Sequence, residues 1–180
     1  PGLFPAITDE GVFINDAPVV DTDGFAANGV FHALDGVLLP PALVDAGTCA
    51  EPVRLDGPGQ VRGATDGAAR DGSEASCGGG AASPDAAFIW TPAEDVTVCL
   101  STVGSDYDTV LHVRAGAAAD GICQDPAAEV ACDDDIGGGV FQSELTLEAT
   151  GGTDYVFFVD GFGGNNTGNF LFTVSAGPCP

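Results

Sequence analysis

Gly104-Ser105-Asp106-Tyr107-Asp108-Thr109-Val110-Leu111-His112-Val113 sets an acidic turn ahead of an alternating strand. Ala131-Cys132-Asp133-Asp134-Asp135-Ile136-Gly137-Gly138 answers it with a cysteine, three consecutive carboxylates and glycines. Leu111 and Val113 share one face of the strand, because successive side chains alternate. The two acidic turns are expected to meet, with the other strands of the second half arranged around them.

Outward from these turns the alternation continues. Val96, Val98 and Leu100 share a face within residues 96–103. Within 143–148, Leu145 and Leu147 point inward, and Glu144, Thr146 and Glu148 outward. Residues 155–160 are apolar on both faces, as a central strand requires. Phe170, Phe172 and Val174 repeat the pattern, and further strands are read at 60–65 and at 86–91, which carries Trp90. No convincing helix interrupts them. Short strands at this spacing predict an all-β chain, an antiparallel β-sandwich or jelly roll. The 27 glycines and 12 prolines suit many tight turns.

The balance of charge narrows the partners. There are 27 acidic residues against four basic ones, for a net charge of -23. The four are Arg54, Arg62, Arg70 and Arg114, and lysine is absent. Such a surface argues against nucleic acid and anionic membranes, which need cations facing them. It suits saline surroundings or cation binding. Six cysteines point to an oxidising compartment, hence an extracellular or cell-surface location. No C-x-x-C pair supports zinc, and His32 and His112 each sit inside a strand pattern. No apolar run reaches membrane-spanning length, so membrane insertion is not expected. No leader pattern opens the chain, which reads as a mature or excised segment.

Calcium takes six to eight oxygen ligands. Asp106, Asp108, Asp133, Asp134, Asp135 and Asp160 are the candidates to supply them, with Ser143 and glycine-loop carbonyls completing the shell. The competing reading is that these aspartates cap turns through their own backbone. Three adjacent carboxylates repel one another unless a cation or solvent relieves them. The run is not an EF-hand, since it lacks alternating acids and a distal glutamate. Among the cysteines, Cys123 and Cys132 are expected to pair across a short acidic loop. Cys49 with Cys179 would tie first strand to last, which leaves Cys77 with Cys99. Six cysteines allow fifteen connectivities, and the first pairing is the one the sequence favours, because the two are close along the chain. Enzyme readings lack a motif: no serine sits in a nucleophile elbow, and carboxylate pairs in so acidic a chain are unspecific.

Two stretches resemble known families. Gly11-Val12-Phe13-Ile14-Asn15-Asp16-Ala17-Pro18-Val19-Val20 and Ala27-Asn28-Gly29-Val30-Phe31-His32-Ala33-Leu34-Asp35-Gly36-Val37-Leu38-Leu39-Pro40-Pro41 resemble the C-terminal end of a fasciclin domain. The larger first part of such a domain is absent. Residues 1–47 are therefore expected to be a β-strand extension, either a remnant or a segment that completes another sheet. Residues 48–180 are expected to form the main domain, and roughly 49–177 of it resemble the bacterial pre-peptidase C-terminal β-sandwich, in the form found in secreted myxobacterial proteins. The resemblance rests on Ser76-Cys77-Gly78-Gly79, Pro84-Asp85-Ala86-Ala87-Phe88, the two acidic turns, Gln142-Ser143 and Tyr155-Val156-Phe157-Phe158-Val159-Asp160-Gly161-Phe162. It implies attachment, carbohydrate or protein binding, and calcium in some relatives, with no defined catalytic activity.

Together these readings predict a non-enzymatic extracellular structural or adhesive protein with calcium-stabilised acidic loops. It would self-associate into fibres by β-strand addition of its N-terminal segment. The alternative is a polysaccharide- or protein-binding module, or an accessory domain, cut from a larger secreted protein.

Overall fold

The computed structural model of the protein describes residues 5–8, 11–14, 17–26, 29–34, 42–70, 74–78, 83–116 and 121–180. Asn15-Asp16, Asn28, the 35–41 exit, and the Asp71-Gly72 and Gly79-Gly80 turns lie outside them. The chain divides into two compact units, residues 1–41 and 42–180. The boundary thus falls ahead of the residue-47 limit read from sequence, because residues 42–43 already pair within the sandwich.

The first unit holds strands β1 (Pro5–Thr8), β2 (Gly11–Ile14), β3 (Ala17–Ala26) and β4 (Gly29–Leu34). They form one four-stranded sheet in the order β1-β2-β3-β4. Each pairing is antiparallel. These strands find hydrogen-bonding neighbours in one another.

The second unit is a β-sandwich, as the alternation predicts. Its strands are β5 (Ala42–Leu43), β6 (Val53–Arg54), β7 (Gly59–Ala64), β8 (Ala86–Trp90), β9 (Val96–Ser101), β10 (Thr109–Gly116), β11 (Glu129–Asp133), β12 (Glu144–Ala149), β13 (Asp154–Gly161) and β14 (Asn169–Ala176). One sheet runs β11-β10-β13-β8-β6 and the other β12-β9-β14-β7-β5. All neighbours are antiparallel except the two-residue edges, where β5 lies parallel to β7 and β6 parallel to β8. Residues 44–52 thus carry the chain from one sheet to the other. The only helical pieces among the described residues are short 3-10 turns, Ile122–Gln124 and Pro126–Ala128. None is long and apolar enough to cross a membrane.

The core lies between the sheets. Phe88, Trp90, Leu111, Val113, Phe157 and Val159 face Val98, Leu100, Leu145, Leu147, Phe170 and Phe172 across it. Phe88 meets Phe172 at 5.2 Å between ring centroids and Phe170 edge-on at 5.8 Å. Each buried ring contributes about 2–3 kcal/mol through the surface it removes from water. β13 is buried on its second face too. There Val156 and Phe158 join Ala87 and Ile89 of β8 under Ile122 and Cys123. The 3-10 segment is that cover, which explains why both faces of 155–160 are apolar.

Gly63 of β7 sits where no side chain fits. A Cβ there would stand 2.5 Å from the Val44 carbonyl oxygen and 2.7 Å from Cζ of Phe170. Gly63→Ala is expected to cost about 1–3 kcal/mol through forced backbone movement. An unchanged urea midpoint would show that the β5–β7 edge yields freely.

The bridges correct the expected pairing. Cys77 is joined to Cys132, and Cys99 to Cys179. Cys132 and Val110 lie on the outer face of their sheet beside Cys77 and Ala75, so Cys132 meets Cys77 and not Cys123. Cys123 sits in the separate cluster over Phe158. Cys99 points away from the core of β9, where the segment after β14 folds across it: the Cys179 N–H donates to Thr146 Oγ1 at 3.0 Å. Cys179 is thereby taken from Cys49, and Cys99 from Cys77.

Candidate metal centre and the loops around it

The two acidic turns do meet, at one pole of the sandwich. A buried hydroxyl network from β9, β10 and β12 holds them. Thr102 Oγ1 lies 2.6 Å from Thr109 Oγ1 and accepts from the Ser143 N–H at 2.8 Å. Ser143 Oγ stands 2.8 Å from the Thr109 carbonyl and 2.9 Å from that of Asp134, sharing its proton between them. Ser143 is therefore a strut under the Asp134 turn. Gln142 Nε2 adds bonds to the carbonyls of Ser105 and Tyr107.

On this base, carboxylate oxygens of Asp108, Asp134 and Asp135 lie within 4.8 Å of one another. Oδ1 of Asp108 and Oδ1 of Asp134 are closed off from solvent and meet no hydrogen-bond partner among the described residues. Burial first, then the neighbouring Asp135, holds the Asp108 carboxyl above its ordinary range. Burial, then Asp135, Asp108 and Asp133, does the same to Asp134. Three crowded acids with two orphaned oxygens suit a hard divalent cation, which takes oxygen ligands. Asp108, Asp134 and Asp135 are the side chains that would hold such an ion.

The other candidates are placed elsewhere. Asp133 Oδ2 accepts the Glu144 N–H at 2.8 Å and fixes the start of β12. Asp106 receives the Asn169 N–H and its side-chain Nδ2, each at 2.7 Å. Both brace neighbouring segments across the fold, and not their own turns as local backbone capping would have it. Asp160 lies buried at the end of β13 and accepts the Gly161 N–H at 2.7 Å. Burial pushes its carboxyl up to about 8, the Gly161 bond opposing, with Asp85 adding repulsion and Arg70 attraction. Desolvation also pushes the nearby Tyr107 hydroxyl well above its ordinary range. Cys99, Glu144 and Cys179 also converge, but those sulfurs form a disulfide and offer no thiolate.

His112 is a packing residue. It is fully buried, stacks on Phe158 at 4.6 Å and lies 3.7 Å from Glu129. Burial, then Arg114, pushes its pKa down to about 3, so the ring is neutral at ordinary pH. Arg114 lies equally buried beside it, its guanidinium 5.4 Å from the same Phe158 ring. Nothing in the sequence marked that arginine as interior, because its partners are backbone carbonyls such as that of Glu74.

Sequence reasoning also missed the apolar rim of this pole. Phe141 is 56% exposed and Phe162 43%. The Thr109 N–H donates to the Phe141 carbonyl at 3.0 Å, and the Phe162 N–H to the Asp108 carbonyl at 3.0 Å. The two phenylalanines therefore flank the Asp108-Thr109 step from opposite sides, with Ile136 and Val140 exposed on the same turn as Phe141. The available signal was an aromatic beside a glycine-rich turn in both places, Phe141 after Gly137-Gly138-Gly139-Val140 and Phe162 directly after Gly161.

No protein family matches the chain, and no curated protein does. The fasciclin resemblance of residues 1–47 therefore rests on its motif alone. Among solved structures, the chain is similar to the pre-peptidase C-terminal domain of collagenase from Bacillus anthracis. The TM-score is 0.40 at 12% identity, covering 77% of this chain and 100% of that one.

Proposed function

We propose that the sandwich is a non-catalytic binding module of a secreted protein. It takes an extracellular polysaccharide or protein at the pole carrying Phe141, Phe162 and the Asp108, Asp134 and Asp135 carboxylates. Calcium in that cluster stiffens the pole. The observation that carries this reading is the pair of exposed phenylalanines flanking the carboxylate cluster. Exposed rings offer apolar contact area at small entropic cost, and aromatics dominate binding hot spots. Two disulfides support the secreted setting.

A fibre assembled by exchange of the N-terminal strands has less behind it, since β1 to β4 pair among themselves. The test is a panel of insoluble polysaccharides and matrix proteins, titrated with calcium or with chelator. Phe141→Ala with Phe162→Ala is expected to weaken binding about tenfold or more, with the melting temperature unchanged. Calcium at a hundred times its dissociation constant is expected to add about 2.7 kcal/mol of stability. Absence of any saturable ligand, or a ligand indifferent to both substitutions, would sink the binding face. An unchanged melting point with calcium would remove the metal alone.

A further inference from the structure

We propose that Cys49 and Cys123 form a third disulfide, which fastens the 44–52 crossing between the sheets to the 3-10 cover over β13. Cys77–Cys132 and Cys99–Cys179 account for the other four of the six cysteines. Cys123 Sγ lies 3.1 Å from the carbonyl oxygen of Cys49, though 74 residues separate them. Both residues pack on one cluster, with Ala87, Ile89, Val156 and Phe158. A sulfur this near the other residue's backbone puts the two side chains in one neighbourhood, and a bridge between them calls for a Cα spacing of about 4.4–6.8 Å.

The surroundings favour the reaction. The buried Arg114 guanidinium donates to the Cys123 carbonyl. It also interacts favourably with an ionised Cys49. The thiolate is the attacking species in the exchange. The Cys49 thiolate attacks one sulfur of a small disulfide donor, such as oxidised glutathione. The donor's S–S bond breaks and one half leaves as a thiolate. Cys123, having lost its proton, then attacks the Cys49 sulfur of the mixed disulfide and expels the second half. Two protein thiols are oxidised, and the donor takes up two electrons.

The placement of the arginines makes this readable. Trypsin cuts after Arg54, Arg62, Arg70 and Arg114, which puts Cys49 in peptide 1–54 and Cys123 in peptide 115–180. The full chain is equilibrated in a glutathione redox buffer, denatured in alkylating reagent and digested without reductant. Peptide 1–54 is expected to stay joined to 115–180, and to be released when reductant is added. In Cys123→Ala it is expected to emerge alone, alkylated at Cys49. Two outcomes would overturn the proposal: peptide 1–54 alkylated and separate from the unsubstituted chain, or still joined in Cys123→Ala. Because the readout is taken on denatured chain, Cys49→Ala serves as a second check: it should leave Cys123 open to alkylation.

Discussion

Asp160→Asn is expected to stabilise the sandwich by roughly 5 kcal/mol at pH 8 and to leave it nearly unchanged at pH 4. The folded Asp160 carboxyl titrates at about 8. An unfolded aspartate titrates near 3.9. Between those values the folded chain holds a proton that the unfolded chain has lost. Stability therefore falls as pH rises through this window and levels off above about 8. His112 acts with the opposite sign. Its folded pKa is about 3, against about 6.5 when unfolded, so its contribution grows as pH rises from 3 towards 6.5. The two slopes oppose each other between about 4 and 6.5, and the fall from Asp160 stands out from 6.5 to 8. Asparagine keeps an oxygen for the Gly161 N–H and removes the charge. Urea unfolding at pH 4, 6.5 and 8 reads this directly, since the single Trp90 is buried in the core. Parallel pH profiles for the two proteins would show that Asp160 is ionised and solvated, contrary to its burial.

Removing the Cys99–Cys179 bridge, as Cys99→Ala with Cys179→Ala, is expected to cost about 4 kcal/mol. The bridge closes a loop of 80 residues. The unfolded chain regains that lost loop entropy when the bridge goes. For a domain of this length the loss corresponds to a fall of roughly 10 °C in melting temperature. The native structure loses little else. Cys99 is buried on the outer face of β9, and the segment after β14 is also held by the Cys179 bond to Thr146. Scanning calorimetry of the double variant measures the shift, and a fall of only a degree or two would mean that the unfolded chain is already compact there.

The sandwich was legible because each central strand declares its buried face. Leu145 and Leu147 alternate with exposed residues along β12, and the double apolar face of β13 marks it as central. β11 was hidden. Its residues Glu129–Asp133 mix charge, cysteine and small side chains, and read as part of an acidic turn. The short edges β5 and β6 carry too few residues to show any period. The acidic cluster was half legible. Three aspartates in a row announced themselves, but which of them face Asp108 depends on how β11 enters the turn. Asp133 is spent on the Glu144 N–H, and only Asp134 and Asp135 reach across. The disulfides were misread because nearness in sequence stood in for nearness in space. Cys123 and Cys132 are close along the chain, yet one lies in the cover over Phe158 and the other beside Val110.

The strand directions have a mechanical consequence. β5 runs parallel to β7, and β7 antiparallel to β14. The chain therefore enters the sandwich at Ala42 from the same pole at which β14 ends at Ala176. The acidic cluster and its phenylalanines, beside the start of β10, sit at the far pole. Tension applied through the two ends would peel their sheet one hydrogen bond at a time instead of shearing all bonds at once. Peeling from the β14 side runs into a covalent stop at Cys99. A domain built this way limits how much of itself a steady pull can unravel.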